Sequence, residues 1–325
     1  MKLFPEHVLG VDIGHASVKV VGIELGSQPT FLGCKEITLD PKFLQKEGFD
    51  NPILVGQALR EAMRTAAPKP IVANQAYSTV SESLVFRKVI EMPFLSNAQE
   101  LNAAIRIEAS QYLPDNIDSV ELDYQLLGAL PDGNTQQVMI VAIPRKIIQE
   151  HLAVFDAAKI KIRGIGIKPE ALGAALVKLT EKEAVMIVDI GSEMSSVSIY
   201  HNKVIRVTGT VNMGGNMLKD PSTGELDQGE WDAKLKRLVT TLLDEIEHVQ
   251  KFYINRSIST SEVKELRLSG GGSMAVGLQE ALAKEVEGMK VVLGQPVISI
   301  PAFCDRRFTG ALGSALSPLF ERLPV

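Results

Sequence analysis

Apolar runs broken by polar turns at 8–13, 18–25 and about 30–39 predict three strands joined as a meander. Asn51-Pro52 then marks a helix start, with asparagine as N-cap and proline in the first turn. Val55, Leu59, Ala62 and Met63 fall on one face of that helix, and a strand over 70–77 carries Ile71 and Val72. Between about 84 and 161 the pattern changes. A strand over 84–90 ends at Met92-Pro93, Ser96 with Gln99 forms a capping box, and a helix runs to Tyr112 before Pro114 stops it. Two strands, about 120–129 and 136–143, flank the turn residues Pro131-Asp132-Gly133-Asn134. A helix from Pro144 through Ala158 and a strand over KIKIRGIGI complete a small α+β unit inserted into the first half.

The second half repeats the opening pattern. Strands over 184–190, 195–201 and 204–210 end at Met213-Gly214-Gly215, and the polar stretch KDPSTGELDQGE reads as a surface loop. The longest helix starts near Trp231, with Leu235, Leu238, Leu242, Ile246, Val249 and Tyr253 at helical spacing. A short strand over 266–268 leads into Ser269-Gly270-Gly271-Gly272-Ser273, which opens a helix with Leu278, Leu282 and Val286 inward. The last helix, 310–316, is rich in small residues and suits close packing against the base of the sheets. Strands alternating with helices predict an α/β protein. The divisions expected are a first-lobe core over 1–85, the inserted unit over 86–161, a return to the first lobe over 162–183 and a second lobe over 184–325.

Two segments carry the same chemistry: VLGVDIGHASVKVVGIE and AVMIVDIGSEMSSVSIY. Each is an apolar strand that delivers an aspartate, Asp12 or Asp189, to its own end. A glycine, Gly14 or Gly191, is then expected to turn the chain at positive φ. Turns of this kind leave N–H groups facing a concavity that can cradle phosphate. Paired carboxylates suit the waters of Mg²⁺, so Asp12 and Asp189 are the metal candidates. Ser17 and Lys19 complete the first candidate phosphate loop, and Ser192 and Ser195 the second; Lys19 can reach a phosphate as a point charge. The plain alternative is a pair of tight hairpins with strand-end aspartates and a solvated lysine. Gly270, Gly271 and Gly272 follow a strand and would let a nucleoside approach backbone closely, with a flexible turn as the alternative. Gly214 and Gly215 could reach the same cleft. Glu108, on the inward face of its helix, is a candidate catalytic acid, with pairing to Arg106 or capping of a loop as the plain alternative.

Composition narrows the class. At 325 residues and 45% hydrophobic the chain can bury substantial cores, and its length suggests about two domains. A net charge of −5 offers no general attraction to nucleic acid or acidic lipid. Cys34 and Cys304 are far apart in sequence, form no metal or redox motif, and fit a reducing compartment. His7, His15, His151, His201 and His248 lack ligand spacing, GIGIKPEALG fails as a dinucleotide fingerprint, and Asn255-Arg256-Ser257 is a sequon without meaning in a cytosolic protein. The start MKLFPEHVLG has no apolar signal region, and no run approaches the roughly 20 residues that span a bilayer. The chain is therefore expected at a membrane only through partners.

The order of first phosphate turn, second phosphate turn, glycine-rich motif and C-terminal helix is similar to that of actin-like, sugar-kinase and heat-shock ATPases. Within that group VDIGHASVKVV, RKVIEMPFL, IEASQYLPDNIDSVELDYQLLG, VDIGSEMSSVSIY and LSGGGSMAVGLQEAL resemble the PilM family, actin-like proteins of type IV pilus assembly related to FtsA. The resemblance implies an actin-like two-lobed α/β fold with an FtsA/PilM-type inserted subdomain. It implies ATP and Mg²⁺ between the lobes, with Asp12, Gly14, Ser17, Lys19, Asp189, Gly191 and Ser195 at the phosphates and Gly270–Gly272 near the adenosine. It also implies a cytoplasmic scaffold at the inner membrane. The N-terminal tail of a PilN-like membrane protein would dock in a groove between the inserted unit and the first lobe. The motor ATPase is a second candidate partner, and self-association stays open. His15 and Ala16 replace the family's small hydroxyl residues, and the loop between Gly215 and Trp231 is shorter than in the family. These departures keep open a type II secretion platform with a degenerate site. A small-molecule kinase is the enzyme alternative, although the sequence offers no activated nucleophile, and ATP binding rather than efficient hydrolysis is expected.

Overall fold

A computed structural model of the chain describes residues 6–14, 16–26, 28–40, 44–45, 48–73, 75–113, 116–130, 132–202, 204–219, 226–256 and 261–320. His15, Pro114, Pro131, Ser257 and positions 220–225 of the polar stretch lie outside the described residues. The first lobe contains β1 (Glu6–Ile13), β2 (Ser17–Leu25), β3 (Thr30–Thr38), the two-residue pair β4 (Leu44–Gln45) and β5 (Gly48–Phe49), α1 (Pro52–Arg64) and β6 (Gln75–Val80). The inserted segment brings β7 (Phe86–Pro93), α2 (Ala98–Ser110), β8 (Val120–Ala129), β9 (Thr135–Pro144), α3 (Arg145–Ala158) and β10 (Lys161–Ile167), and α4 (Lys168–Leu176) follows. The second lobe has β11 (Ala184–Ile190), β12 (Ser195–His201), β13 (Val204–Val211), α5 (Gln228–Arg256), β14 (Val263–Ser269), α6 (Leu278–Glu285), β15 (Lys290–Leu293) and α7 (Thr309–Phe320).

The repeat in the sequence is a repeat of topology. One sheet runs β10-β6-β1-β2-β3 and the other β13-β12-β11-β14-β15, so each is an antiparallel meander extended by two parallel strands. β1 and β11 are interior strands covered on both faces, which is why their residues are almost continuously apolar. α4 and α7 sit between the sheets. Leu172, Ala175, Leu176, Ala311, Leu312 and Ala315 share one core with Val8 and Val21 of the first sheet and Val185 and Ile187 of the second. Small residues permit this: a Cβ on Gly10 would strike Ala311, and one on Gly313 would strike Ala171. The outer faces are covered by α1 and α3 on the first sheet and by α5 and α6 on the second. Asn51 caps α1 as expected, accepting the Leu54 N–H at 3.2 Å.

The inserted segment does not pack as one unit. β7, β9 and β8 form a separate three-stranded sheet with α2 against it. α3, however, packs on α1, and β10 pairs in parallel with β6 at the edge of the first sheet. Several boundaries also shift. The strand expected over 70–77 is Gln75–Val80; Ile71 is buried, but its N–H bonds to Met63 O at 2.9 Å, and Val72 is 78% exposed. α2 is capped by Asn97, which accepts the Gln99 N–H at 2.9 Å, rather than by Ser96. β14 is longer than its apolar run, because Lys264, Glu265 and Arg267 interrupt the pattern on one face and Arg267 is paired with Glu181 and Glu265. Cys34 and Cys304 are both buried and lie close enough to influence each other, a proximity that spacing in the chain could not reveal.

Candidate functional site

Both aspartate-tipped strands end at the same gap. In the first lobe Asp12 stands in register with Lys19 on β2 and Thr79 on β6; in the second, Asp189 stands in register with Ser196 on β12 and Ser269 on β14. The turns close alike: Gly14 N–H donates to Ser17 O at 3.0 Å, and Gly191 N–H to Met194 O at 2.9 Å. Neither glycine adopts the left-handed conformation expected of it, because each reversal is spread over several residues and closed by its own hydrogen bond. Size matters at 191 instead, where a Cβ would lie 2.8 Å from Met194 O.

A cleft of about 680 Å³ lies between the two turns, within the usual range for small-molecule sites. Asp12, Gly14, Ser17 and Lys19 line one wall, and Asp189, Gly191, Ser192 and Ser195 the other, with Gly215 and Gly270–Gly272 also facing it. Gly214 lies behind this surface, where a Cβ would meet Ser192 O at 2.6 Å. The glycine loop does not open an α-helix as expected. It forms a short 3₁₀ turn, Gly271–Met274, and α6 starts later, after Gly277. Gly270 has φ +81°, and a Cβ on it or on Gly272 would collide with Ile190, so the loop is seated on the end of β11.

Charge is concentrated at the cleft floor. Lys168, the first residue of α4, places Nζ 3.0 Å from Asp189 Oδ2 and 3.6 Å from Asp12 Oδ2. Burial opposes its charge, but Asp12 and Asp189 outweigh that and hold its pKa above the ordinary lysine value. A second cluster centres on Glu36, which accepts from Ser17 Oγ at 2.7 Å and pairs with Lys19 at 3.4 Å and Arg307 at 3.1 Å. Lys19 and Arg307 thus share one carboxylate, with which an incoming phosphate would compete. Ser195 Oγ is committed to Met213 O at 2.7 Å. Glu82, 3.2 Å from Arg87, also lines the cleft, and burial pushes its pKa up to about 7 against the pull of Arg87. Asp189 Oδ1, Thr79 Oγ1 and Ser269 Oγ are buried without a hydrogen-bond partner among the described residues, the condition that ordered water or a ligand donor relieves.

Mg²⁺ was expected between Asp12 and Asp189, and the residues present do not fit it there. Lys168's ammonium stands in that gap and is ion-paired with both carboxylates, so a dication seated there would have to displace it. Among the described residues no group of three or more His, Cys, Asp or Glu side chains could hold a metal ion. Glu108, half-buried on α2, does not line the cleft, and Arg106 pairs with Asp118 at 2.6 Å instead of with it. Lys168, Glu82, Glu36 and Arg307 escape sequence reasoning. The one usable signal is Lys168-Pro169 directly after the GIGI strand, where proline at the first turn marks a helix beginning at a strand end.

A sequence model described as type IV pilus assembly protein PilM matches residues 10–300. The chain belongs to the PilM family. Among solved structures, a PilM-PilN type IV pilus biogenesis complex matches with a TM-score of 0.78 at 20% identity, over 95% of this chain and 98% of that one. Ethanolamine utilization protein EutJ from Carboxydothermus hydrogenoformans matches at TM-score 0.52 and 13% identity, over 97% and 91%. The cytoplasmic domain of EpsL, an inner membrane component of the type II secretion system of Vibrio cholerae, matches at 0.50 and 11%, over 96% and 95%. At these identities the matches establish the fold, which is the actin-like ATPase fold expected from the sequence. No helix among the described residues is long and apolar enough to cross a membrane.

Proposed function

We propose that this PilM-family chain is a cytoplasmic scaffold of type IV pilus assembly that binds ATP between its lobes and docks the N-terminal tail of a PilN-like inner-membrane protein. The observation that carries it is the convergence of two turns of like construction on one cleft, with Asp12 and Asp189 both within 3.6 Å of the same ammonium. Lys19 and Arg307 line the cleft and can exchange Glu36 for a phosphate oxygen. A ligand held by both turns stabilises the closed arrangement through its higher affinity for that state. Slow turnover, or none, suits a scaffold. The partner assignment is supported by the family and by the likeness to a PilM-PilN complex.

The test is thermal unfolding of the full chain with ATP and with no nucleotide. ATP at about 100 times its Kd should stabilise the wild type by about 2.7 kcal/mol. Ser192→Asp, which places a negative charge in the second turn, should remove the shift without lowering the midpoint of the nucleotide-free protein. An absent shift in the wild type, or an equal shift in the variant, would contradict nucleotide binding at this cleft and favour the degenerate secretion-platform alternative.

A further inference from the structure

Resting on the nucleotide reading above, we propose that Lys168 is the cleft's resident cation, so that the triphosphate is bound without a divalent metal. Its ammonium stands between Asp189 and Asp12 at 3.0 and 3.6 Å, the position a shared metal would need. The two carboxylates are nearly buried, with side-chain exposures of 4% and 7%, whereas Lys168 keeps 27%. An ammonium carries three N–H donors. Lys168 is ion-paired with both aspartates while lining the cleft, where a phosphate oxygen can accept one of its N–H groups. The aspartates therefore act as positioning residues that hold the lysine rather than as metal ligands.

The surroundings are built for this arrangement. Lys168 opens α4, which is locked into the core between the two sheets, so the ammonium belongs to a rigid element joined to both lobes. Opposite it, α7 presents Gly310, where a Cβ would lie 2.8 Å from Asp12 Oδ2 and 3.4 Å from Lys168 Cε. Only glycine leaves room for the ion triad. Of the other cations lining the cleft, Lys19 and Arg307 are paired with Glu36, and Arg307 also with Asp305 at 2.8 Å.

The experiment is calorimetric titration of ATP into the full chain in excess EDTA and in magnesium. The wild type should bind in EDTA within about threefold of its affinity in magnesium. Lys168→Met should lose about tenfold or more in EDTA, about 1.4 kcal/mol, and recover much of it in magnesium; Lys168→Arg should keep metal-free binding. Magnesium alone should raise the melting temperature of Lys168→Met, whose carboxylates are then unneutralised, and leave the wild type unmoved. Wild-type binding that requires magnesium, or Lys168→Met binding as tightly as wild type in EDTA, would overturn the inference while leaving the nucleotide site standing. No ATP binding in either condition would overturn both. Should Lys168→Met fail to fold, the wild-type comparison alone decides.

Discussion

Glu82 stands where the first sheet hands over to β7, at the edge of the cleft and against Arg87. Burial lifts its pKa to about 7, Arg87 opposes that and Glu170 adds to it. The folded state therefore holds this proton across a range in which the unfolded chain has already released it. Stability from Glu82 is present below its unfolded pKa of 4.5 and is lost as pH rises through about 7. The expected loss is at most about 3 kcal/mol. Urea unfolding at pH 5 and pH 8 checks it: the wild type should lose more stability over that interval than Glu82→Gln, and equal losses would show that the carboxyl is not so held. Single residues also show where the sequence is legible. Asp12 and Asp189 stand out because an acid at the end of an apolar strand conflicts with burial unless it has a partner. Lys168 and Glu82 do not, because a lysine or glutamate after a strand is the ordinary content of a surface turn. Only the meeting of α4 with two remote strand ends gives them meaning.

Among elements, the clearest contrast is between the two meanders and the inserted segment. Strands of the meanders are recovered almost to the residue because their apolar runs are long and covered on both faces. The inserted segment is recovered as elements but not as a unit, since nothing local tells that α3 will pack on α1 or that β10 will extend the first sheet. What remains apart is the three-stranded sheet with α2. This element group carries exposed apolar side chains: Phe94 at 61% and Ile107 at 65%, with Lys88 over the ring of Tyr112. If the PilN-like tail docks here, Phe94→Ser with Ile107→Ser should weaken binding of a fluorescent tail peptide by about tenfold or more, the loss of about 1.4 kcal/mol. The ATP-dependent melting shift should stay as in the wild type. Unchanged peptide affinity would move the docking surface elsewhere on the molecule.

At the scale of the whole molecule, two sheets of identical strand order are joined through a helix pair, and the cleft lies where that joint meets both aspartates. The two-lobed architecture is legible from the repeat alone, because the same run of strand, acid and turn occurs twice. The chemistry at the joint is not, because it depends on α4 and α7 arriving between the sheets with a lysine and a glycine at their starts. A ligand bridging both turns would couple the lobes. The most direct measurement is an experimental density map of the full chain prepared with ATP. A triphosphate contacting both the 14–17 and the 191–194 turns, beside Lys168, is the predicted result. A triphosphate touching one lobe only, or lying outside this cleft, would contradict the account.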